Sequence, residues 1–127
     1  MSDFTIYHNP RCSKSRLTLE ILRKNKIEPK IVLYLENPPN KKELATLLKK
    51  LDMTPREILR KTEKDYKIND LSDKSIPDLD LINIMLRFPK LIERPIVVKD
   101  QKAIIGRPPE NVLNLIYKRK KCQKKLD

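Results

Sequence analysis

The sequence predicts an α/β protein with strands towards both ends of the chain and helices between them. Three observations predict it. "DFTIYHN" (residues 3–9) reads as a short strand, helical periodicity follows, and "KIVLYLE" (Lys30–Glu36) reads as a second strand. That order suggests a parallel βαβ unit with a right-handed crossover. Further on, "RPIVVKDQKAIIGRPP" looks like a hairpin leading into a last helix. The layout is a βαβ…ββα core with a helical insertion, residues about 40–90, between the second and third strands.

Each element has a local reason. The first strand ends at Asn9-Pro10, and Leu17, Ile21 and Leu22, with Leu19, are spaced to give one apolar helix face up to Lys24. Ser13 or Ser15 falls where an N-cap or first-turn residue belongs. Pro29 breaks the chain, and the near-continuous apolar content of Lys30–Glu36 suggests a strand buried on both faces. Asn40 with Glu43 three residues on has capping-box spacing, ahead of a stripe of Leu44, Leu47, Leu48 and Leu51. "DMTP" makes a turn into a short helix from Pro55 to about Arg60. "KTEKDYKINDLSDKSIPD" is polar and reads as an exposed excursion. Leu79, Ile82, Met85 and Leu86 restore a helical period that Pro89 stops. The hairpin runs Ile96–Lys99, turns at Asp100-Gln101, and returns over Lys102–Ile105. Pro109 suits the first position of a last helix through Asn111, Leu115 and Ile116.

A chain of 127 residues fits one domain, with a basic tail over about 118–127. Charged residues make up 36% and hydrophobic residues 39%, and no apolar run approaches the ~20 residues of a membrane span. The first residues lack the basic and apolar regions of a secretory signal, so a cytoplasmic location is expected. Two cysteines about a hundred positions apart make no disulfide framework. The net charge of +12 invites a nucleic-acid partner, but the excess is mostly lysine scattered over every segment, so none is expected.

The chemistry centres on "YHNPRCSKSR", Tyr7–Arg16. Its cysteine, Cys12, could be buried filler, a disulfide half, a metal ligand or a nucleophile. Between a first strand and a first helix it would face the helix N-terminus, where unpaired N–H groups and the macrodipole favour a thiolate. Arg11, Lys14 and Arg16 add positive charge. Ser15 stands at Cys-x-x-Ser spacing, one helical turn along, where a hydroxyl can reach the sulfur. His8, the one histidine of the chain, is near enough to tune the thiol's ionisation. A helix N-terminus also binds oxyanions, but a thiolate repels them, so catalysis there requires further cations. The candidates are Arg60, Arg94 and Arg107, since arginine forks match tetrahedral oxyanions in bidentate fashion. Arg94 and Arg107 each precede a proline and flank the predicted hairpin.

Several motifs are absent. The one glycine, Gly106, rules out a P-loop, and the sixth residue after Cys12 is Thr18 rather than the arginine of a phosphatase-type loop. His8, Cys12 and Cys122 supply too few soft ligands for a tetrahedral zinc site, so no metal is expected. Ser15 replaces the second cysteine of a Cys-x-x-Cys pair, so the thiol requires an external reductant or the distant Cys122.

"IYHNPRCSKSR" resembles the N-terminal signature of the glutaredoxin-coupled arsenate reductases, a family with a thioredoxin-like fold. "YLENPP", "ILRK" at Arg60, "LIERPIVV" around Arg94 and "GRPPE" at Arg107 are also similar to family motifs, and they occur in family order from Thr5 to Asn114. The resemblance implies that Cys12 is the nucleophile, with His8 and Ser15 tuning it and Arg60, Arg94 and Arg107 holding the oxyanion. It implies a thioarsenate on Cys12, no bound cofactor, glutathione as co-substrate and glutaredoxin as partner. It also places Arg94-Pro95 where thioredoxin-like folds carry a cis-proline.

Two other readings compete with it. One is a redox-responsive thioredoxin-like regulator of RNA polymerase or another protein, against which the missing Cys-x-x-Cys weighs. The other takes "KELATLLKKLDMTPREILRK" as a DNA-binding helix-turn-helix, although its second helix reads as too short.

Overall fold

The computed structural model describes residues 3–117. Cys122 and the basic stretch 118–127 lie outside the described residues. The described residues divide into two compact units, one built from residues 3–32 and 94–117, the other from Leu33–Glu93.

The first unit holds a four-stranded mixed sheet. Strands β1 (Phe4–Tyr7), β2 (Lys30–Val32), β3 (Ile96–Lys99) and β4 (Lys102–Ile105) lie in the order β2-β1-β3-β4. β1 runs parallel to β2 and antiparallel to β3, and β3 pairs antiparallel with β4. The parallel crossover is α1 (Ser13–Lys24). Pro109 opens a 3₁₀ turn, Pro109–Asn111, that runs into a short helix, α5 (Val112–Ile116). Phe4, Ile6, Leu19, Leu22, Val97, Val112 and Leu115 form the core between sheet and helices. Leu22 is fully buried, and truncating such a leucine to alanine costs about 2–5 kcal/mol.

Two expectations change here. β2 is an edge strand of three residues with Ile31 exposed, and Tyr34 is buried from a turn rather than from a strand. The strand buried on both faces is β3, where Ile96, Val97 and Val98 are all buried. The inner face of α1 is Ser15, Thr18, Leu19 and Leu22, whereas Leu17 is 49% exposed. Ser15 and Thr18 can be buried because their hydroxyls are satisfied locally, Thr18 by donating to the Lys14 carbonyl at 2.8 Å.

The second unit is helical. α2 (Lys41–Leu51) begins with the expected capping box: the Asn40 side chain accepts from the Glu43 N–H and Glu43 accepts from the Asn40 N–H. Leu44, Leu47 and Leu48 are buried, and α2 packs on α4 (Asp78–Arg87), whose buried face is Leu81, Ile82 and Met85. A Thr54-capped 3₁₀ turn, Pro55–Ile58, stands where the helix-turn-helix reading needs a recognition helix. With one face of α2 buried and no second α-helix there, that reading fails. The polar excursion is largely exposed, as its composition predicts, and Leu71 is its exception. It contains α3 (Lys64–Ile68) and a fully buried Leu71, and Arg56 donates to the Leu71 and Asp73 carbonyls at 2.8 and 2.9 Å. A second 3₁₀ turn, Pro89–Leu91, leads to a short backbone pairing in which Arg60 N–H donates to Leu91 O and Glu93 N–H to Ile58 O.

Candidate active site

Sheet register brings the site together. Tyr7 at the end of β1 pairs with Ile96, and Ile96 pairs with Ile105. The turn that follows Tyr7 therefore shares one end of the sheet with Arg94 and Arg107, which lie two residues outside the hairpin on either side. Arg94 and Arg107 each precede a cis peptide bond, to Pro95 and Pro108. The first is the position the resemblance implies, while the second was not anticipated. Between these segments the packing is close. A methyl group on Gly106 would meet Thr18 Oγ1 at 2.5 Å and Pro95 Cγ at 2.8 Å, so glycine is the residue that fits.

The turn carrying the nucleophile is built by Asn9. Its carbonyl accepts from the Cys12 N–H at 3.0 Å, its side-chain oxygen accepts from the Arg11 N–H at 3.0 Å, and its own N–H donates to Ser15 Oγ at 3.0 Å. Asparagine followed by proline is a turn signal, so this role was readable from "NPR" although it was not singled out. Cys12 then stands as the N-cap of α1, with extended backbone (φ −93°, ψ 122°) and its carbonyl accepting from the Arg16 N–H.

The half-buried Cys12 sulfur is met by cations and amides. Arg107 Nη2 lies 3.6 Å from it, and Arg107 Nε donates to the Arg94 carbonyl at 2.8 Å, which fixes the direction of that guanidinium. Burial pushes the thiol pKa up, but the Ser15 N–H, the Arg94 guanidinium and the Lys14 N–H together outweigh it and hold it below the ordinary value.

The other predicted residues divide. Ser15 is fully buried and influences the sulfur through its backbone N–H, while its hydroxyl meets the Asn9 N–H and His8 Nδ1. His8 is buried and acts on Ser15. Burial, then the charges of Arg23 and Arg16, lowers its pKa, so at neutral pH it is an uncharged ring and not a cation beside the thiolate. Arg60 belongs to the second unit, where its Nη1 donates to Glu93 Oε1 at 2.8 Å and its Nε to Glu63 Oε2 at 3.4 Å. Within the first unit, then, the fold gathers Cys12, Ser15, His8, Arg94 and Arg107.

Residues 7–115 match the ArsC family. The chain is 54% identical over 112 residues to the uncharacterized protein YfgD of Escherichia coli K12, covering 87% of this chain and 94% of that one. It is 45% identical over 116 residues to an arsenate reductase of Escherichia coli, covering 91% and 82%. Its structure matches an arsenate reductase from Vibrio cholerae with a TM-score of 0.85 and 46% identity, covering 87% and 95%. No helix among the described residues is long and apolar enough to cross a membrane. With its mixed sheet, its cis-proline and its cysteine at the head of α1, this chain belongs to the ArsC family and has the thioredoxin-like fold.

Proposed function

We propose that the protein is an arsenate reductase in which Cys12 is the nucleophile and glutathione and glutaredoxin supply the reducing thiols. The observation that carries this is the acidified Cys12 thiol with Arg94 and Arg107 beside it. A thiolate attacks an anion poorly unless fixed cations offset their repulsion, and two guanidiniums at the sulfur meet that need. The relatives named arsenate reductase add the choice of oxyanion. Arg60 is proposed as a third oxyanion ligand on the family resemblance.

The Cys12 thiolate attacks arsenic(V), forming an S–As bond while one oxygen leaves as water. The glutathione thiol condenses with a second As–OH, and another water departs. A glutaredoxin thiolate then attacks the glutathione sulfur. The As–S bonding pair stays on arsenic, which falls to arsenic(III), and glutaredoxin leaves as a mixed disulfide with glutathione. Water displaces Cys12 from arsenic(III), arsenite departs and the thiolate returns. Ser15 occupies the place of a second cysteine in the Cys-x-x-Cys spacing, and external thiols take over its part in this reaction. The test is arsenite formation by the full chain with arsenate, glutathione and glutaredoxin, compared with Cys12→Ser. Turnover in the wild type and none in the variant supports the reading. Near-full activity in Cys12→Ser sinks it.

A further inference from the structure

Beside the Cys12 turn, within the first unit, runs a groove of about 570 Å³. That is the size of a small-ligand cleft. Buried His8 and Leu19 line it together with the exposed Arg16, Glu20, Arg23 and Lys24. It reaches Pro10, two residues before the nucleophile, whose carbonyl accepts from Arg16 Nη1 at 2.8 Å. The reactions at Cys12, Arg94 and Arg107 make no use of it.

We propose that this groove is the docking site for glutathione, an inference that rests on the arsenate reductase reading. Glutathione is a flexible tripeptide with two carboxylates and one ammonium. The groove offers three cations and one carboxylate around an apolar and imidazole surface. Two of those cations already have partners: Arg23 pairs with Glu28 at 2.9 Å and Lys24 with Glu20 at 3.4 Å. Both pairs are at least half exposed, and exposed pairs contribute about 0–1 kcal/mol, so ligand carboxylates can replace their partners at little cost. The glutathione ammonium then takes the Glu20 carboxylate that Lys24 gives up. Carboxylates held at Arg23 and Lys24, two to three turns along α1, leave the peptide free to extend its thiol towards the head of the helix. Docking of this kind raises the local concentration of the second thiol, which a site without a Cys-x-x-Cys pair needs.

The test uses the full chain and the double variant Arg23→Gln/Lys24→Glu. Neither residue touches Cys12, Arg94 or Arg107. In the turnover assay the double variant raises KM for glutathione roughly tenfold, the effect of losing about 1.4 kcal/mol of docking, and leaves KM for arsenate and the alkylation rate of Cys12 within about twofold. S-methylglutathione, whose thiol is blocked, binds the wild type saturably and perturbs the NMR signals of Arg16, Leu19 and Glu20; the double variant loses this. An unchanged KM for glutathione overturns the proposal, as does a rise confined to KM for glutaredoxin, which would make the groove part of the surface that meets that protein. If the wild type forms no arsenite but S-methylglutathione still perturbs the groove, the arsenate reading fails and the site stands. If S-methylglutathione does not bind, the site is refuted whatever the turnover.

Discussion

Arg107 places Nη2 3.6 Å from the Cys12 sulfur while its Nε is held on the Arg94 carbonyl at 2.8 Å. One arginine is thereby aimed by the backbone of another, and both meet the same thiol. Replacing Arg94 with alanine removes the guanidinium that favours the thiolate. The rate of Cys12 alkylation by iodoacetamide, followed against pH, is expected to show a midpoint lowered from the ordinary thiol value by these groups. In Arg94→Ala the midpoint moves up. In Arg107→Ala it moves up by less. Superimposable profiles for the wild type and Arg94→Ala would contradict this account of the thiol.

Ser15 makes a different prediction, because its hydroxyl and its N–H have separate tasks. Ser15→Ala leaves the buried Asn9 N–H without its acceptor and is expected to lower unfolding stability by about 1–3 kcal/mol. The N–H that faces the sulfur is retained, so the alkylation midpoint moves less than in Arg94→Ala. Urea unfolding and the alkylation profile measure the two effects independently.

His8 links stability to pH. Its pKa in the folded chain lies below the ordinary 6.5, so the unfolded chain binds the proton more readily. Stability from this group is complete above 6.5 and declines as the pH falls from there to the folded value, with a slope of at most about 1.4 kcal/mol per pH unit. Urea unfolding of the wild type between pH 7 and 5.5 is expected to show the decline, and His8→Gln to reduce it. An identical slope in the variant would show that other groups are responsible.

Gly106 tests the packing behind the arginines. Gly106→Ala forces a methyl group against Thr18 Oγ1 and Pro95 Cγ. It is expected to cost about 1–3 kcal/mol, and it disturbs Arg107, the next residue. The double variant Gly106→Ala/Thr18→Ala removes one of the two clashes and is expected to recover part of the loss in thermal unfolding.

Local signals were the most legible. The Asn40–Glu43 capping box and the Ile96–Ile105 hairpin are set within a few residues, and both form as read. The hairpin also made the arginine pair legible, since any register pairing Ile96 with Ile105 carries Arg94 and Arg107 to one end of the sheet. Hydropathy misled where burial and conformation part company. Leu33, Tyr34 and Leu35 extend an apolar run, but the strand stops at Val32 and Tyr34 is buried from a turn. Ser15 and Thr18 occupy the inside of α1 because the turn and the helix backbone satisfy their hydroxyls, which no apolar count registers. Leu71, one leucine in a polar stretch, gave no periodic signal yet is fully buried. The pairing of Arg60 with Glu63 and Glu93 depends on a backbone pairing between segments thirty residues apart, which is set by tertiary structure alone.

In the proposed reaction Cys12 reduces arsenate with thiols drawn from glutathione and glutaredoxin. The most direct measurement is single-turnover arsenite release from the purified full chain, with glutathione and glutaredoxin supplied together, singly or not at all. Release is expected only when both are present, to be lost in Cys12→Ser and to survive in Cys122→Ser. Arsenite released at the full rate without added thiols, or by Cys12→Ser, would contradict that reaction.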